Sequence, residues 1–228
     1  MERIPVNWMA DIPLVTRLWT LSSLVTSILV DTKVIHLQDI MFSPRQIQQE
    51  PWRLITSFLY LGQFDINLII SLYLSIQYSR QLEESFNRTR DYLWFLGIGG
   101  IALIIYSTYV QNLFILGTYL NEVLNYVWSK KNPGIQMGFL GLIEFKAGYL
   151  SFLLILMSLL NKGAKWNPWI ELPPFIIGHV IFYCEEVLET LIGFNPLSPP
   201  WSWGIWNWNN QNEPIQVPQQ PTLNERQD

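Results

Sequence analysis

The chain has 228 residues, of which 50% are hydrophobic and 14% are charged, whereas soluble domains carry about 25% charged residues. This deficit of charge predicts a membrane protein. The net charge of −4 gives no indication of nucleic-acid binding, and the single cysteine, Cys184, excludes a disulfide within the chain.

Six apolar segments are candidates for membrane-spanning helices, since a helix needs about 20 mostly apolar residues to cross the hydrocarbon core. In chain order they are residues 13–30, 64–78, 91–111, 113–128, 147–160 and 169–192. The sequence therefore predicts an all-α polytopic membrane protein with six transmembrane helices. Because a charge at the bilayer centre costs at least about 2.5 kcal/mol, we expect the polar fourth and sixth segments to face the protein interior.

The basic residues predict the orientation of the chain, because Lys and Arg are enriched in cytosolic loops. The clusters at 80–90 and at Lys130 and Lys131 fall on the same side as the N-terminus. We therefore predict a cytosolic N-terminus (1–12), a membrane domain (13–192) and a cytosolic tail (193–228). Four tryptophans within 201–208 are expected to anchor the tail at the membrane interface, with a docking motif as the alternative, and 209–228 is expected to be disordered.

The first loop, residues 31–61, would then lie on the lumenal side. It is too apolar for a solvated loop, so we expect short amphipathic helices that enter the outer half of the bilayer. The alternative is a loop that only packs on the helix bundle. Trp52 and Arg53 stand near its end, and an indole and a cation both prefer the headgroup layer.

The polar residues indicate no complete catalytic site of the serine type. An intramembrane serine protease needs a nucleophile on a glycine-flanked turn and a histidine from another helix. His179, preceded by Gly178, is a candidate base. The fourth segment, however, opens with Leu-Gly-Thr-Tyr at 116–119, and Thr118 is a poor nucleophile because its hydroxyl is on a β-branched carbon.

Two further chemistries are also unsupported. Asp11, Asp65 and Asp91 stand at the ends of predicted spans, whereas an aspartyl site needs two apposed aspartates inside the membrane. His36 and His179 lack the His-Glu-x-x-His spacing of a zinc site. We therefore predict a protein without catalytic residues, metal or cofactor.

Several strings in one order resemble the derlin family. They are Asp-Ile-Pro-Leu-Val-Thr-Arg-Leu-Trp at 11–19, Trp-Arg-Leu-Ile-Thr-Ser-Phe-Leu at 52–59, Leu-Glu-Glu-Ser-Phe at 82–86, Tyr-Val-Trp-Ser-Lys-Lys-Asn-Pro at 126–133, Gly-Phe-Leu-Gly-Leu at 138–142 and Gly-His-Val-Ile-Phe-Tyr-Cys-Glu-Glu-Val at 178–187. The resemblance runs from about residue 11 to residue 188, and the short tail resembles fungal derlins of endoplasmic-reticulum-associated degradation.

The resemblance implies a rhomboid-like pseudoprotease with six helices in the endoplasmic reticulum membrane. Derlins help to return misfolded lumenal proteins to the cytosol, together with a membrane ubiquitin ligase, its adaptor scaffold and a cytosolic segregase ATPase. The rhomboid-like body is thought to thin the bilayer, with a lateral gate between the second and fifth helices. The alternatives are a scaffold that recruits partners without touching substrate and, in another class, an active intramembrane protease.

Two features depart from the derlin pattern. Many derlins have Gly-x-x-x-Gly-His in the sixth span, but here Pro174 stands in place of the first glycine. A kink at Pro174 and a less close approach of helices are therefore expected. The tail at 209–228 contains no glycine, so a Gly- and Arg-rich motif for the segregase is missing and its recruitment is expected to be indirect.

The polar positions and the derlin resemblance together indicate the candidate functional residues. We expect Trp52 and Arg53 to hold the first loop at the lumenal headgroup layer, and the polar residues Asn121, Glu122 and Asn125 to serve the passage of substrate or the thinning of the bilayer.

The remaining signature residues are expected to be structural. Glu83 and Glu84 would fix the cytosolic end of the second helix, and Gly178 and His179 would serve helix packing. For Trp52, Arg53, Glu83 and Glu84 a contribution to fold stability alone is the alternative to a direct role.

Overall fold

The computed structural model describes residues 12–86, 88–139, 143–163, 166–193 and 195–201. The chain divides into one compact unit up to Leu197 and a second from Ser198 onward. The predicted N-terminal region up to residue 11 and the tail from residue 202 lie outside the described residues.

The first unit is mostly helical, as predicted. Its helices are α1 Leu14–Asp31, α2 Leu37–Ile40, α3 Arg53–Leu59, α4 Ile66–Ser85, α5 Thr89–Tyr109, α6 Leu116–Lys131, α7 Leu150–Lys162, α8 Pro168–Glu171, α9 Pro173–Phe182 and α10 Leu188–Ile192. A π-helical turn, Tyr183–Val187, joins α9 to α10. Among the described residues, α1 and α5 are long and apolar enough to cross a membrane, and 147–160 forms a shorter apolar helix.

The connection between α6 and α7 corrects the all-α prediction. Strands β1 Gln136–Phe139 and β2 Ile143–Lys146 pair antiparallel, with Gln136 opposite Lys146 and Phe139 opposite Ile143. Residues 143–146 alternate between apolar and charged side chains, which is the period of a strand. A pattern of four residues is too short to be distinguished from a loop by its periodicity alone.

The sixth predicted segment also differs from a single kinked helix. α8 ends at Glu171 and α9 begins at Pro173, so both prolines occupy the first turn of a new helix. Proline is well tolerated there because the first backbone N–H groups of a helix have no partner within it. The interruption expected at Pro174 is therefore a boundary between two helices at Leu172.

The core is built around α6, which packs against α3, α4, α5, α7 and α9. Trp128 is almost completely buried, and its indole Nε1 donates a 3.0 Å hydrogen bond to Oε1 of Gln81 on α4. Its ring centroid lies 6.2 Å from that of Tyr78. The prediction that the fourth segment faces the interior is thus confirmed, with helices on several sides of it.

Glu83 joins the end of α4 to the beginning of α1. Its Oε1 accepts a hydrogen bond of 3.1 Å from the backbone N of Val15. Its Oε2 accepts two of 2.8 Å from the backbone N and the hydroxyl of Thr16. A carboxylate is stabilised at the positive N-terminal end of a helix, and Glu83 is only 6% exposed.

Glu84 has a different environment from its neighbour. It is largely exposed and its Oε1 accepts from Nε of Arg80, one turn earlier, at 2.7 Å. The acidic pair therefore separates into a buried contact between two helices and a surface ion pair. Glu83 holds the start of α1 as well as the end of α4, which the sequence-based expectation did not include.

The two glutamates give a matched comparison of stability. Glu83→Gln leaves an amide that has one acceptor oxygen for three donors, so we expect a loss of about 1.5–3 kcal/mol in the free energy of unfolding. Glu84→Gln removes only an exposed pair and should cost less than about 1 kcal/mol. Unfolding of the purified chain in one detergent measures both variants, and equal losses would contradict the role assigned to Glu83.

Candidate functional site

Arg53 connects separate parts of the first loop. It opens α3, is only 6% exposed, and its Nε donates to the carboxylate of Glu50. Its Nη1 donates to the backbone carbonyls of Gln38 and, at 3.1 Å, Met41. The guanidinium therefore lies inside the loop, where it satisfies the carbonyl groups at the end of α2.

Trp52 lies on the other side of this loop. It is 53% exposed, and Ile55, one turn further along α3, is also exposed. α3 is thus amphipathic, with Arg53 and Ser57 on its buried face. The two residues that the sequence predicts as one unit have different environments, since Arg53 is internal and Trp52 is at the surface.

The end of the first loop lies directly against the beginning of α6. A Cβ atom at Gly117 would lie 2.5 Å from the carbonyl oxygen of Phe58 and 2.6 Å from that of Tyr60. Thr118 Oγ1 donates a 3.1 Å hydrogen bond to the carbonyl of Leu61. Only glycine leaves room for this backbone approach, because any Cβ would overlap both carbonyl groups.

The opposite end of α6 contains the partner of His179. Nδ1 of His179 on α9 lies 2.9 Å from the hydroxyl of Tyr126. Tyr126 follows Thr118 by eight residues, which is about 12 Å along a helix. Thr118 and His179 therefore have separate hydrogen-bond partners in the part of the chain that the structure describes.

Gly178 allows α9 to approach α6 closely. A Cβ at this position would lie 3.0 Å from Cβ and Cδ1 of Tyr126. Pro174, one turn earlier, is fully buried. The expectation that α9 approaches its neighbouring helix less closely is thus wrong. Gly178 alone leaves the space that the Tyr126 side chain of α6 occupies.

The predicted polar residues of α6 have distinct surroundings. Asn121 Oδ1 accepts a 2.6 Å hydrogen bond from Ser75 Oγ on α4. Asn125 is 6% exposed, and its Oδ1 has no hydrogen-bond partner in the part of the chain that the structure describes. Glu122 is half-buried between them. The described hydrogen bonds of Arg53 all remain within the first loop. Arg53 and the polar residues of α6 therefore form two separate hydrogen-bonding groups.

A group of ion pairs joins the end of α6 to the π-helical turn, and it was not predicted from the sequence. Nζ of Lys131 lies 3.3 Å from Oε2 of Glu185 and 2.9 Å from Oε1 of Glu186. It also lies 5.4 Å from the centre of the Phe86 ring. The sequence signal for this group is the lysine in the string at 126–133 and the two glutamates in the string at 178–187. Their pairing depends on the packing of α9 on α6, which the sequence does not show.

No group of three or more potential metal ligands occurs in the described ranges. The arrangement provides instead a loop held between helices, with one apolar face at the surface. On its buried side the loop contains Arg53 and contacts Gly117 of α6. On its exposed side it carries Trp52 and Ile55.

Comparisons with known proteins identify the family of this chain. The model of the Der1-like family matches residues 12–201. Derlin-2 of Oryza sativa subsp. japonica is 34% identical over 215 residues, which cover 88% of this chain and 85% of that protein. "Degradation in the endoplasmic reticulum protein 1" of Saccharomyces cerevisiae is 31% identical over 212 residues, which cover 89% and 97%, respectively.

The predicted fungal type stays a prediction, because plant and yeast relatives match with similar identity. The family itself does not depend on that distinction. The matched range includes the first loop, all the described helices and the contacts of Glu83, Arg53, Gly117 and Gly178. This chain belongs to the Der1-like family and is a derlin.

Proposed function

We propose that this derlin acts in endoplasmic-reticulum-associated degradation, where it helps misfolded lumenal proteins to return to the cytosol without catalysing a reaction. The observation that carries the proposal is the match to the yeast protein named for degradation in the endoplasmic reticulum, across 97% of its length. Its partners would be a membrane ubiquitin ligase with its adaptor scaffold, and the segregase ATPase would be recruited indirectly.

The proposed location is the endoplasmic reticulum membrane, with six spans and both termini in the cytosol. α1, α4, α5, α6 and α7 would each supply a span, and α8 to α10 together the sixth. The first loop would then lie at the lumenal side and the Glu83 contact at the cytosolic side. The apolar character of α1 and α5 supports membrane insertion.

The physical task is to move a polar chain through hydrocarbon, where unsatisfied backbone groups cost several kcal/mol each. α7 has 13 residues, so it extends only about 20 Å. The hydrocarbon core is about 30 Å thick, and a bilayer adapts to short helices by thinning. A thinner bilayer lowers the barrier that the substrate must cross.

The first loop would extend this effect on the lumenal side. Arg53 keeps the loop folded, while Trp52 and Ile55 face outward, where they can enter the interface. Substrate would pass between α4 and α7, which the derlin resemblance implies as the gate. Both helices pack on α6, and α7 exposes Phe152 and Leu156.

Substitutions at the exposed and buried faces of α3 separate function from stability. We expect Trp52→Ala to lengthen the half-life of a misfolded lumenal substrate in cells while the level of the derlin stays normal, because this side chain is at the surface. Arg53→Ala should lower the free energy of unfolding by about 1.5–3 kcal/mol, because buried charge-assisted hydrogen bonds are lost.

Tyr109→Ala is the matched control, since Tyr109 is an exposed aromatic residue at the end of α5 on the same proposed side. It should leave substrate degradation unchanged. Normal degradation with Trp52→Ala, or with Arg53→Ala at normal derlin level and ligase association, would refute a direct role of the loop.

The absence of catalysis can be tested by restoring a better nucleophile. Thr118→Ser supplies a serine after Gly117, yet we expect no cleavage of a model transmembrane substrate by the purified variant or the wild type. The reason is that His179 bonds Tyr126, about 12 Å along α6 from residue 118. Cleavage that His179→Ala abolishes would support the protease alternative.

A further inference from the structure

An open groove of about 960 Å³ runs along the outer faces of α1 and α4. Its walls are mostly apolar and include Leu21 and Leu24 from α1 and Leu72 and Ile76 from α4. The volume lies at the upper end of the range of about 300–1,000 Å³ for small-molecule sites. The groove is separate from the first-loop contacts of Arg53 and Gly117.

One end of the groove is polar and carries Arg17, Gln77, Arg80 and Glu84. Arg80 and Glu84 neutralise each other through their 2.7 Å contact. For Arg17 the structure gives no ion pair and no side-chain hydrogen bond within the described ranges. Of the two arginines that line this end in the described ranges, Arg17 is therefore the one without a carboxylate partner.

The position of Arg17 makes an anion especially favourable. It stands in the first turns of α1, where the helix dipole repels a cation and favours a negative charge. The carboxylate of Glu83 already occupies the N–H groups of Val15 and Thr16. In the proposed topology Arg17 stands near the cytosolic end of the first span, where lipid phosphates would lie.

We propose that this groove binds one anionic glycerophospholipid, with its phosphate on Arg17 and its acyl chains along the apolar walls. Arginine matches the geometry of a phosphate and binds it through paired N–H groups. An apolar helix, from a partner or from a second copy of this chain, would cover the walls but leave Arg17 without an anion. The proposal rests on the part of the proposed function that places α1 and α4 in a membrane, and not on the proposed role in degradation.

Native mass spectrometry of the full chain in mild detergent tests this proposal, with phosphatidylinositol and phosphatidylcholine added separately. We expect a one-to-one complex with phosphatidylinositol. Arg17→Gln should weaken it about ten-fold, because one charge-assisted contact is lost. Arg88→Gln is the matched control, since it removes the same charge from an exposed residue before α5 and should leave binding unchanged.

A second variant tests the apolar walls without changing charge. Leu21→Trp should fill part of the groove and reduce binding of phosphatidylinositol, while the unfolding temperature shows whether each variant is folded. Equal binding by Arg17→Gln and the wild type, equal losses with Arg17→Gln and Arg88→Gln, or equal binding of both lipids would overturn the proposal. A dimer that forms without lipid and that Leu21→Trp dissociates would assign the groove to a second copy.

Discussion

The carbonyl groups of Phe58 and Tyr60 lie so close to Gly117 that no side chain could be accommodated there. This contact joins the first loop to the start of α6, the helix on which most of the other helices pack. Thr118 adds a hydrogen bond to Leu61 at the same place. The turn at which a serine protease of this kind would hold its nucleophile is thereby in contact with the backbone of the loop. One glycine thus accounts for the close packing of the loop on this turn.

The contacts at the other end of α6 complete the arrangement. Tyr126 bonds His179, Gly178 brings α9 close, and Lys131 pairs with Glu185 and Glu186 of the π-helical turn. The contact between Tyr126 and His179 joins α6 to α9, and the structural role of His179 stays a prediction. A fold held at both ends of α6 can tolerate the short α7, and this short helix is the feature by which we explain thinning of the bilayer.

Much of the helical unit could be predicted from the sequence, because long apolar segments and the derlin strings are local signals. The burial of α6 followed from Asn121 and Asn125, which cannot face lipid without cost. The hydrogen bonds of Glu83 could not be predicted, since Thr16 lies 67 residues away and no local pattern identifies a helix start as the partner of a distant carboxylate. Arg53 was assigned to the headgroup layer from its residue type, whereas the carbonyl groups of Gln38 and Met41 hold it inside the loop. The hairpin was missed because its strands have four residues each.

The central claim is that this derlin contacts substrate between α4 and α7 and is more than a scaffold. Site-specific photocrosslinking tests it most directly, with a photoreactive residue at Ser71 on α4, at Leu156 on α7 and, as a control, at Ile101 on the outer face of α5; all three positions are exposed. The account predicts crosslinks to a misfolded lumenal protein in transit from Ser71 and Leu156 and none from Ile101. Normal degradation of that protein without crosslinks from Ser71 or Leu156 would contradict it and favour a scaffold.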